Sequence, residues 1–304
     1  MNPLKLSLGP NLFNWSADKW RDFYFRVADE MPVDSVILGE TVCSKRMPFF
    51  DPVLPDVLER LQEAGKEVIL STLALVMTKR EMGLVREISA NDAFLVEAND
   101  VSTASLLAGK DHIIGPYMNI YNEGTLGYFV RNGARRICLP VEIPSQTIAA
   151  MTAADTGAEL EVMAFGRLPL AISARCYHAR AHNRAKDNCE YVCAEDLDGM
   201  DLDTLEGQPF LAVNGTQTLS YTCANLMGEL AGLTEIGVRS FRLSPHDLDM
   251  TAIARTFRDV LDGRMEAEAG IEILEDLVDG LEFSNGFIHG QEGARLVEGA
   301  RLVE

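Results

Sequence analysis

Three cysteines form the pattern in this sequence that most clearly indicates chemistry. Cys176, Cys189 and Cys193 follow the spacing C-x12-C-x3-C, and Cys43 lies far upstream as a candidate fourth ligand. Thiolates are the softest ligands that a protein offers, and four of them suit an iron–sulfur cluster or zinc. Structural zinc sites usually pair their cysteines as C-x2-C, sometimes up to C-x4-C. The spacing therefore favours an iron–sulfur cluster and leaves zinc open.

The two remaining cysteines are expected to have other roles. Cys138 lies in the apolar run RRICLP, and free cysteine is among the most buried residue types, so we expect a core position. Cys223 lies in SYTCANLMGEL, which the apolar spacing predicts to begin a helix. Cys223 could replace Cys43 as the fourth ligand, but the same spacing favours the core.

Glu40 and His178 are the candidate catalytic residues. Glu40 precedes Cys43 by three residues, where a carboxylate can act as acid or base or cap the following turn. His178 follows Cys176 closely and is either a ligand or proton carrier, or part of the basic run RCYHARAHNRAK, which could bind an anionic ligand. No G-x-S-x-G, H-E-x-x-H or phosphate loop occurs, so the sequence indicates no hydrolytic nucleophile.

Eight short apolar runs predict the strands that position these residues. They are residues 4–9, 35–39, 67–72, 93–98, 113–119, 136–139, 159–165 and 238–243. Runs such as DSVILG and KEVILST are hydrophobic on both faces, as expected for parallel strands that are covered on both sides.

Amphipathic stretches between these runs predict helices, for example over residues 17–30, 55–64 and 78–88. Gly65, Gly133 and Gly237 come just before predicted strands, where the preceding helix is expected to end in the left-handed backbone conformation that glycine favours. Eight βα units favour an α/β fold, a (β/α)8 TIM-like barrel of regular or irregular form. An open doubly wound sheet is the alternative, weakened because no G-x-G-x-x-G follows the first strand.

A barrel would bring the candidate residues to one place. The loops that follow the strands share the mouth at the carboxyl ends of the strands. Cys43 follows the second predicted strand, and the C-x12-C-x3-C cysteines follow the seventh, so all four open onto this mouth and Cys43 is favoured over Cys223. Tyr117, Asn119, Tyr121 and Asn122, after the fifth strand, are similarly placed.

Two segments depart from the βα pattern. Residues 175–207 are polar, acidic and cysteine-rich, and predict an insertion after the seventh strand. We therefore divide the chain into a barrel domain that carries the cluster, residues 1–263, and an acidic, glycine-rich C-terminal tail, residues 264–304. The tail ends in GARLVE twice over, which we expect to be mobile or helical.

The charge of the chain disfavours a nucleic-acid ligand. Forty-six acidic against 27 basic residues give a net charge of −19, and such a surface repels phosphate backbones. No apolar run approaches the roughly 18 residues of a membrane span, and the first residues lack the pattern of a secretion signal. We therefore expect a cytoplasmic protein whose cysteines are thiols or metal ligands rather than disulfides.

Several segments resemble a known group of proteins. ELEVMAFGRLPLAISARC, which ends at Cys176, and the later Cys189/Cys193 pair resemble the diagnostic segment of the collagenase-like "peptidase U" superfamily. KLSLGPNLFNW, DSVILGETVCSKR and NGTQTLSYTCANL are most similar to its UbiV family, and the likeness spans about residues 4–263. The superfamily segment usually has a cysteine and a glycine where this chain has Pro169 and Ala174, which fits UbiV and counts against peptidase activity.

The resemblance implies a [4Fe–4S] cluster held by Cys43, Cys176, Cys189 and Cys193. It also implies a heterodimer with UbiU, work alongside the lipid-binding protein UbiT, and O2-independent ring hydroxylation of a ubiquinone precursor, with an oxygen donor such as prephenate. The alternatives are a non-catalytic subunit whose cluster relays electrons or supports the fold, a peptidase, and an RNA-modifying relative. The missing nucleophile counts against the peptidase, and the net charge of −19 counts against RNA.

Overall fold

Strands and helices alternate along the chain in the computed structural model, which describes residues 3–278, 280–299 and 302. The strands are β1 (Lys5–Leu8), β2 (Ser35–Leu38), β3 (Glu67–Ser71), β4 (Leu95–Ala98), β5 (His112–Ile114), β6 (Ala134–Cys138), β7 (Glu159–Ile172), β8 (Met200–Asp203), β9 (Pro209–Asn214), β10 (Gln217–Asn225), β11 (Ser240–Leu243) and β12 (Phe283–Ser284). The α-helices are α1 (Ala17–Glu30), α2 (Met47–Phe50), α3 (Leu54–Glu63), α4 (Lys79–Ser89), α5 (Val101–Leu106), α6 (Glu123–Arg131), α7 (Ser145–Ala153), α8 (Tyr177–Ala181), α9 (Leu230–Glu235), α10 (Met250–Leu261) and α11 (Ala267–Leu277).

Eight of these strands close into a parallel barrel. β1 to β7 pair in chain order, and β11 pairs in parallel with both β7 and β1. The predicted (β/α)8 barrel is therefore confirmed, and the open sheet is wrong. All eight predicted strands are present. The fifth prediction runs too far because Gly115 and Pro116 end β5, and residues Pro116–Met118 form a 3₁₀ turn.

Local signals explain where the helices begin and end. The Ser16 hydroxyl accepts the Lys19 N–H and starts α1, whose inner face buries Trp20 and Tyr24. Gly133 precedes β6 with φ +105°, and a Cβ there would lie 2.2 Å from the Lys110 carbonyl oxygen, so only glycine fits. Among the described helices, none combines the length and hydrophobicity that spanning a bilayer requires.

The interior of the barrel contains an apolar layer and a charged layer. Ile37 on β2, Ile69 on β3 and Ile113 on β5 pack together there. Arg242 crosses the lumen and forms ion pairs with Glu97 and Glu161, and all three side chains are buried. The lumen is therefore filled, and ligands must bind at its mouth.

The insertion after β7 is larger and more ordered than predicted. β7 continues beyond the barrel, and its outer half pairs antiparallel with β10, which pairs with β9, which pairs with β8. The insertion thus extends through β10 rather than ending at Gly207. Cys223 lies in β10 with its side chain fully buried, so the predicted helix start is wrong, whereas its core position is confirmed.

Residues 264–299 add elements that pack on the barrel. α11 buries Leu274, and β12 pairs with β10 beside Cys223. The Asn285 side chain accepts the Val297 N–H at 2.7 Å and donates to the Val297 carbonyl at 2.9 Å, which anchors the first GARLVE copy in a non-helical conformation. The second copy lies outside the described residues except for its first and fourth positions. The domain division itself stays a prediction.

Candidate metal centre at the barrel mouth

The loop that carries Cys43 is held by the carboxylate of Glu40. One Glu40 oxygen accepts the backbone N–H groups of Val42 and Cys43, at 2.7 and 2.8 Å. Burial raises the pKa of Glu40, while the charge of Arg46 and these two N–H groups oppose the rise. The geometry assigns Glu40 the turn-capping role that the sequence leaves open. A catalytic role for this residue stays a prediction.

The other three candidate cysteines lie in short turns of the insertion. Cys176 precedes α8, and its sulfur accepts the Ala179 N–H at 3.4 Å. Cys189 follows a 3₁₀ turn and Cys193 lies in another, Val192–Ala194. Their exposed fractions are 9%, 9% and 8%, in chain order. All three sulfurs are therefore shielded from water.

Contacts between the loops bring the four cysteine segments together. Lys45, two residues after Cys43, donates to the Lys186 carbonyl at 2.8 Å and approaches the Cys189 sulfur at 3.5 Å. Cys176 and Cys189 pack in one cluster with Ala179. The predicted convergence of the β2 loop and the insertion is therefore present, although metal ligation is a separate matter.

The surroundings of the sulfurs are polar and carry positive charge. The Asn14 amide donates to the Cys193 sulfur at 3.4 Å. The guanidinium of Arg46 faces Cys193 and Cys43, and its charge opposes the rise in the pKa of Cys43 that burial produces. Three buried thiols and the half-buried Cys43, beside cationic and amide groups, fit an anionic iron–sulfur cluster.

Arg46 is the anchor of this arrangement. Its side chain is 2% exposed, and its two terminal nitrogens donate to the Leu12 carbonyl and the Asn214 side-chain oxygen, each at 2.7 Å. Its Nε is buried without a partner in the structure, and Glu40 lies 4.0 Å away. Arg46 thus ties the loops after β1 and β2 to the β9–β10 hairpin.

His178 is buried and holds the insertion together. Its Nε2 lies 2.8 Å from an Asp196 oxygen, as an ion-pair contact rather than an aligned hydrogen bond, and its backbone N–H donates to the Gly215 carbonyl. Burial lowers the pKa of His178, and Asp196 opposes that shift. His182 stacks on it with 5.4 Å between ring centroids. A catalytic role for His178 stays a prediction.

In the described part of the chain, no three His, Cys, Asp or Glu side chains are arranged as a ready-made site for a single metal ion. Burial raises the thiol pKa values of both Cys43 and Cys176. A metal bound at these residues would have to displace their protons, which makes its binding depend on pH.

Sequence reasoning missed the residues around the cysteines. Lys45 and Arg46 follow Cys43 after one residue in CSKR, and a basic pair so near a candidate ligand was an available signal. Asn214 lies in the Asn-Gly-Thr motif, where it starts a two-residue hairpin turn with Gly215 at φ +64°. Of the residues after β5, Asn122 caps α6 and the Tyr121 hydroxyl donates to Glu142 at 2.5 Å.

A closed barrel of eight parallel strands, with cysteine-bearing loops at its carboxyl-end mouth, defines a TIM-barrel protein with its candidate site in the usual place for that fold. Residues 20–298 of the chain match the family model described as Peptidase family U32. The chain belongs to peptidase family U32, which confirms the resemblance at the level of the superfamily.

Solved structures share the barrel at low identity. The chain is similar to N-acetylneuraminate lyase from Fusobacterium nucleatum, in complex with pyruvate, with 10% identity and a TM-score of 0.51 over 91% of this chain and 81% of the lyase. It is also similar to the U32 peptidase Mk0906, with 11% identity and a TM-score of 0.43 over 81% of this chain and 94% of that one. The lyase likeness shows the fold alone.

Proposed function

We propose that this chain is a cytoplasmic iron–sulfur subunit of an O2-independent hydroxylase that acts on the ring of a ubiquinone precursor. The observation that carries the proposal is the meeting of the Cys43 loop with the three shielded cysteines of the insertion, beside the cations Lys45 and Arg46. Membership of family U32 and the resemblance to the UbiV family support the same reading.

Cys43, Cys176, Cys189 and Cys193 would hold a [4Fe–4S] cluster, which would supply one-electron chemistry. The protein side chains have their own tasks around it. Glu40 orders the Cys43 loop, Arg46 and Lys45 offset negative charge, and the walls of the insertion exclude water. UbiU would be the partner subunit, UbiT would present the lipid-linked precursor, and a metabolite such as prephenate would donate the oxygen.

A second reading is that the cluster relays electrons or supports the fold, and that UbiU carries the chemistry. This reading is favoured because both candidate catalytic residues already make contacts that support the fold. Glu40 caps the Cys43 turn, and His178 bridges Asp196 and the β9–β10 hairpin.

Metal analysis of protein made without oxygen tests the cluster. We expect a brown protein with about four irons per chain. Cys43→Ser, Cys176→Ser, Cys189→Ser and Cys193→Ser should each lose iron, whereas the matched control Cys138→Ser, a buried cysteine of the barrel lumen, should keep it. A colourless protein with stoichiometric zinc would contradict the proposal.

Activity separates a catalytic or redox role of the cluster from a purely supporting one. Hydroxylation of the precursor is measured with UbiU and prephenate present, using wild type and Cys43→Ala. Loss of activity with the Cys43→Ala chain still bound to UbiU indicates a catalytic or redox role. Full activity of a cluster-free variant leaves only the supporting role.

A further inference from the structure

A cavity of about 240 Å3 opens at the barrel mouth next to the cysteine segments. Its walls come from the loops after β3, β5 and β6 and from the outer half of β7. Leu75, Val141 and Ile172 give it apolar sides, while Tyr117 and Glu142 supply polar groups. None of the four candidate cysteines is among the described residues that line this cavity.

The size of the cavity suits one six-membered ring. A cavity of roughly 150 Å3 is enough to bind benzene, whereas pockets for drug-sized ligands begin at about 300 Å3. A single ring with one or two small substituents therefore fills this space. A longer apolar substituent on the ring would extend out of the cavity past Leu170, which is exposed.

The charge of the cavity wall selects against anions. None of the residues that line the cavity is a lysine, arginine or histidine, and Glu142 adds a carboxylate. A carboxylate ligand would lose its water shell here without gaining a cation, which is costly. An uncharged ring avoids that cost.

Tyr117 offers a directed hydrogen bond at the inner end of the cavity. Its hydroxyl oxygen accepts from the Gln217 amide at 2.8 Å, so its own proton is available to a ligand. Burial raises the pKa of Tyr117 well above its usual value, which keeps that proton in place. A ligand oxygen within reach of Tyr117 is therefore fixed in position.

The same hydrogen bonds connect the cavity to the cysteine site. The Gln217 side-chain oxygen accepts from Asn214 at 3.5 Å, and Asn214 accepts from Arg46, which faces Cys43 and Cys193. The backbone also joins the two places, since the Ala74 N–H in the cavity wall donates to the Thr41 carbonyl, two residues before Cys43. A ring bound at Tyr117 is therefore connected to the cysteine site through the hydrogen-bonded side chains of Gln217, Asn214 and Arg46.

We propose that this cavity binds the uncharged hydroxylated ring of the reaction's acceptor, with Tyr117 as a positioning residue that donates to a ring oxygen. The anionic oxygen donor must then bind elsewhere. The identity of the ring as the acceptor rests on the proposed function, whereas binding of a neutral phenol to the cavity does not.

Ligand binding to the full chain, purified without oxygen, tests the site. Phenol and benzoate are titrated separately by calorimetry or saturation-transfer NMR. We expect phenol to bind and benzoate to bind at least about tenfold more weakly. Benzoate binding as tightly as phenol would overturn the charge argument, and no phenol binding would overturn the site.

Substitutions locate the binding in this cavity. Tyr117→Phe should weaken phenol about fivefold by removing one hydrogen bond, without changing iron content or absorption spectrum. Ile172→Trp should fill the cavity and abolish binding. Tyr128→Phe, an exposed tyrosine on α6, is the matched control and should bind phenol normally. Equal affinity in Tyr117→Phe and Tyr128→Phe would overturn the role of Tyr117.

The outcome is distinguishable from failure of the proposed function. If Ile172→Trp abolishes phenol binding but the wild-type chain supports no hydroxylation with UbiU, the binding site is supported and the hydroxylase function is contradicted. If Ile172→Trp supports normal hydroxylation, the binding site is contradicted and the hydroxylase function is supported.

Discussion

The guanidinium of Arg46 is a fully buried charge at the centre of the candidate site. Two of its N–H groups have good acceptors in Leu12 and Asn214, and Glu40 supplies the opposite charge at 4.0 Å. A buried charge is tolerated only when such partners surround it, and removing one member leaves the others unpaired. Arg46 therefore holds the loops at the barrel mouth together and also places a positive charge beside the Cys43 and Cys193 thiols.

Arg46→Met should destabilise the protein by about 3–5 kcal/mol because it leaves the buried Glu40 without its opposite charge and the Asn214 side-chain oxygen without its donor. The measurement is urea unfolding. Arg60→Met is the control, since Arg60 forms an exposed ion pair with Asp29 and such pairs contribute little to stability. Equal losses in the two variants would contradict the anchoring role of Arg46.

Substitutions of Glu40 distinguish capping from acid–base catalysis. One oxygen accepts both backbone N–H groups, and a glutamine retains such an oxygen. If Glu40 only orders the Cys43 loop, Glu40→Gln should keep most of the iron and activity, and Glu40→Ala should lose both. Iron content and hydroxylation are measured on the same preparations. A Glu40→Gln variant that keeps iron but loses all activity would instead favour a catalytic carboxylate.

At the scale of single residues, the sequence identifies candidate residues better than it predicts their surroundings. The four candidate cysteines follow from residue type and spacing, whereas for Glu40 the sequence leaves capping and catalysis open and the structure shows the capping contacts. Arg46 was missed because its partners, Leu12 and Asn214, lie 34 and 168 residues away in the chain. Only the closed barrel and the folded-back hairpin bring them together.

At the scale of elements, the insertion is a three-stranded extension built on the outer half of β7. The eight barrel strands were predicted because both of their faces are buried and their sequences are continuously apolar. β8, β9 and β10 have more mixed sequences, with the exposed Phe210 and Tyr221 at an intermediate position, so they lack that signal. Gly215, the first residue of the two-residue turn between β9 and β10, was the available evidence for a hairpin.

The cysteine turns of this insertion should depend on the metal for their order. Residues 186–194 contain short 3₁₀ turns and few barrel contacts, whereas β9 and β10 pair with β7. A ligand that binds only the folded state stabilises the segments that contact it. Hydrogen exchange should therefore be faster across residues 175–207 in air-exposed protein than in iron-loaded protein, with β1 to β6 unchanged. Unchanged exchange in the insertion would show that a cluster does not organise it.

At the scale of the whole molecule, one buried network joins strands from across the barrel. Glu161 on β7 accepts from Ser7 on β1 at 2.5 Å and from Ser240 on β11 at 3.0 Å. Arg242 donates to Glu161 at 2.8 Å and reaches Glu97 on β4. Burial acts to raise the pKa of Glu161, but Arg242 and Arg136 outweigh it, and the pKa lies below the usual 4.5.

Because the pKa of Glu161 is lowered, its contribution to the free energy of unfolding should decrease as the pH falls. A carboxyl whose pKa is lower in the folded than in the unfolded state stabilises fully above its unfolded pKa, near 4.5, and loses that contribution as pH falls through its folded pKa. Glu161→Gln should cost about 3–5 kcal/mol at pH 7, because it leaves Arg242 with one carboxylate fewer.

The difference in unfolding free energy between wild type and Glu161→Gln isolates the network from the other 45 acidic residues, because the net charge of −19 makes both curves vary with pH. The difference should be constant above about pH 5 and shrink as the pH falls below 4.5, since protonated Glu161 resembles glutamine. Urea unfolding at pH 7, 5, 4 and 3 measures it. Glu206→Gln, in the exposed β8–β9 turn, is the control and should track wild type throughout. A difference that stays constant down to pH 3 would mean that Glu161 contributes through packing alone and that its charge does not tie the barrel together.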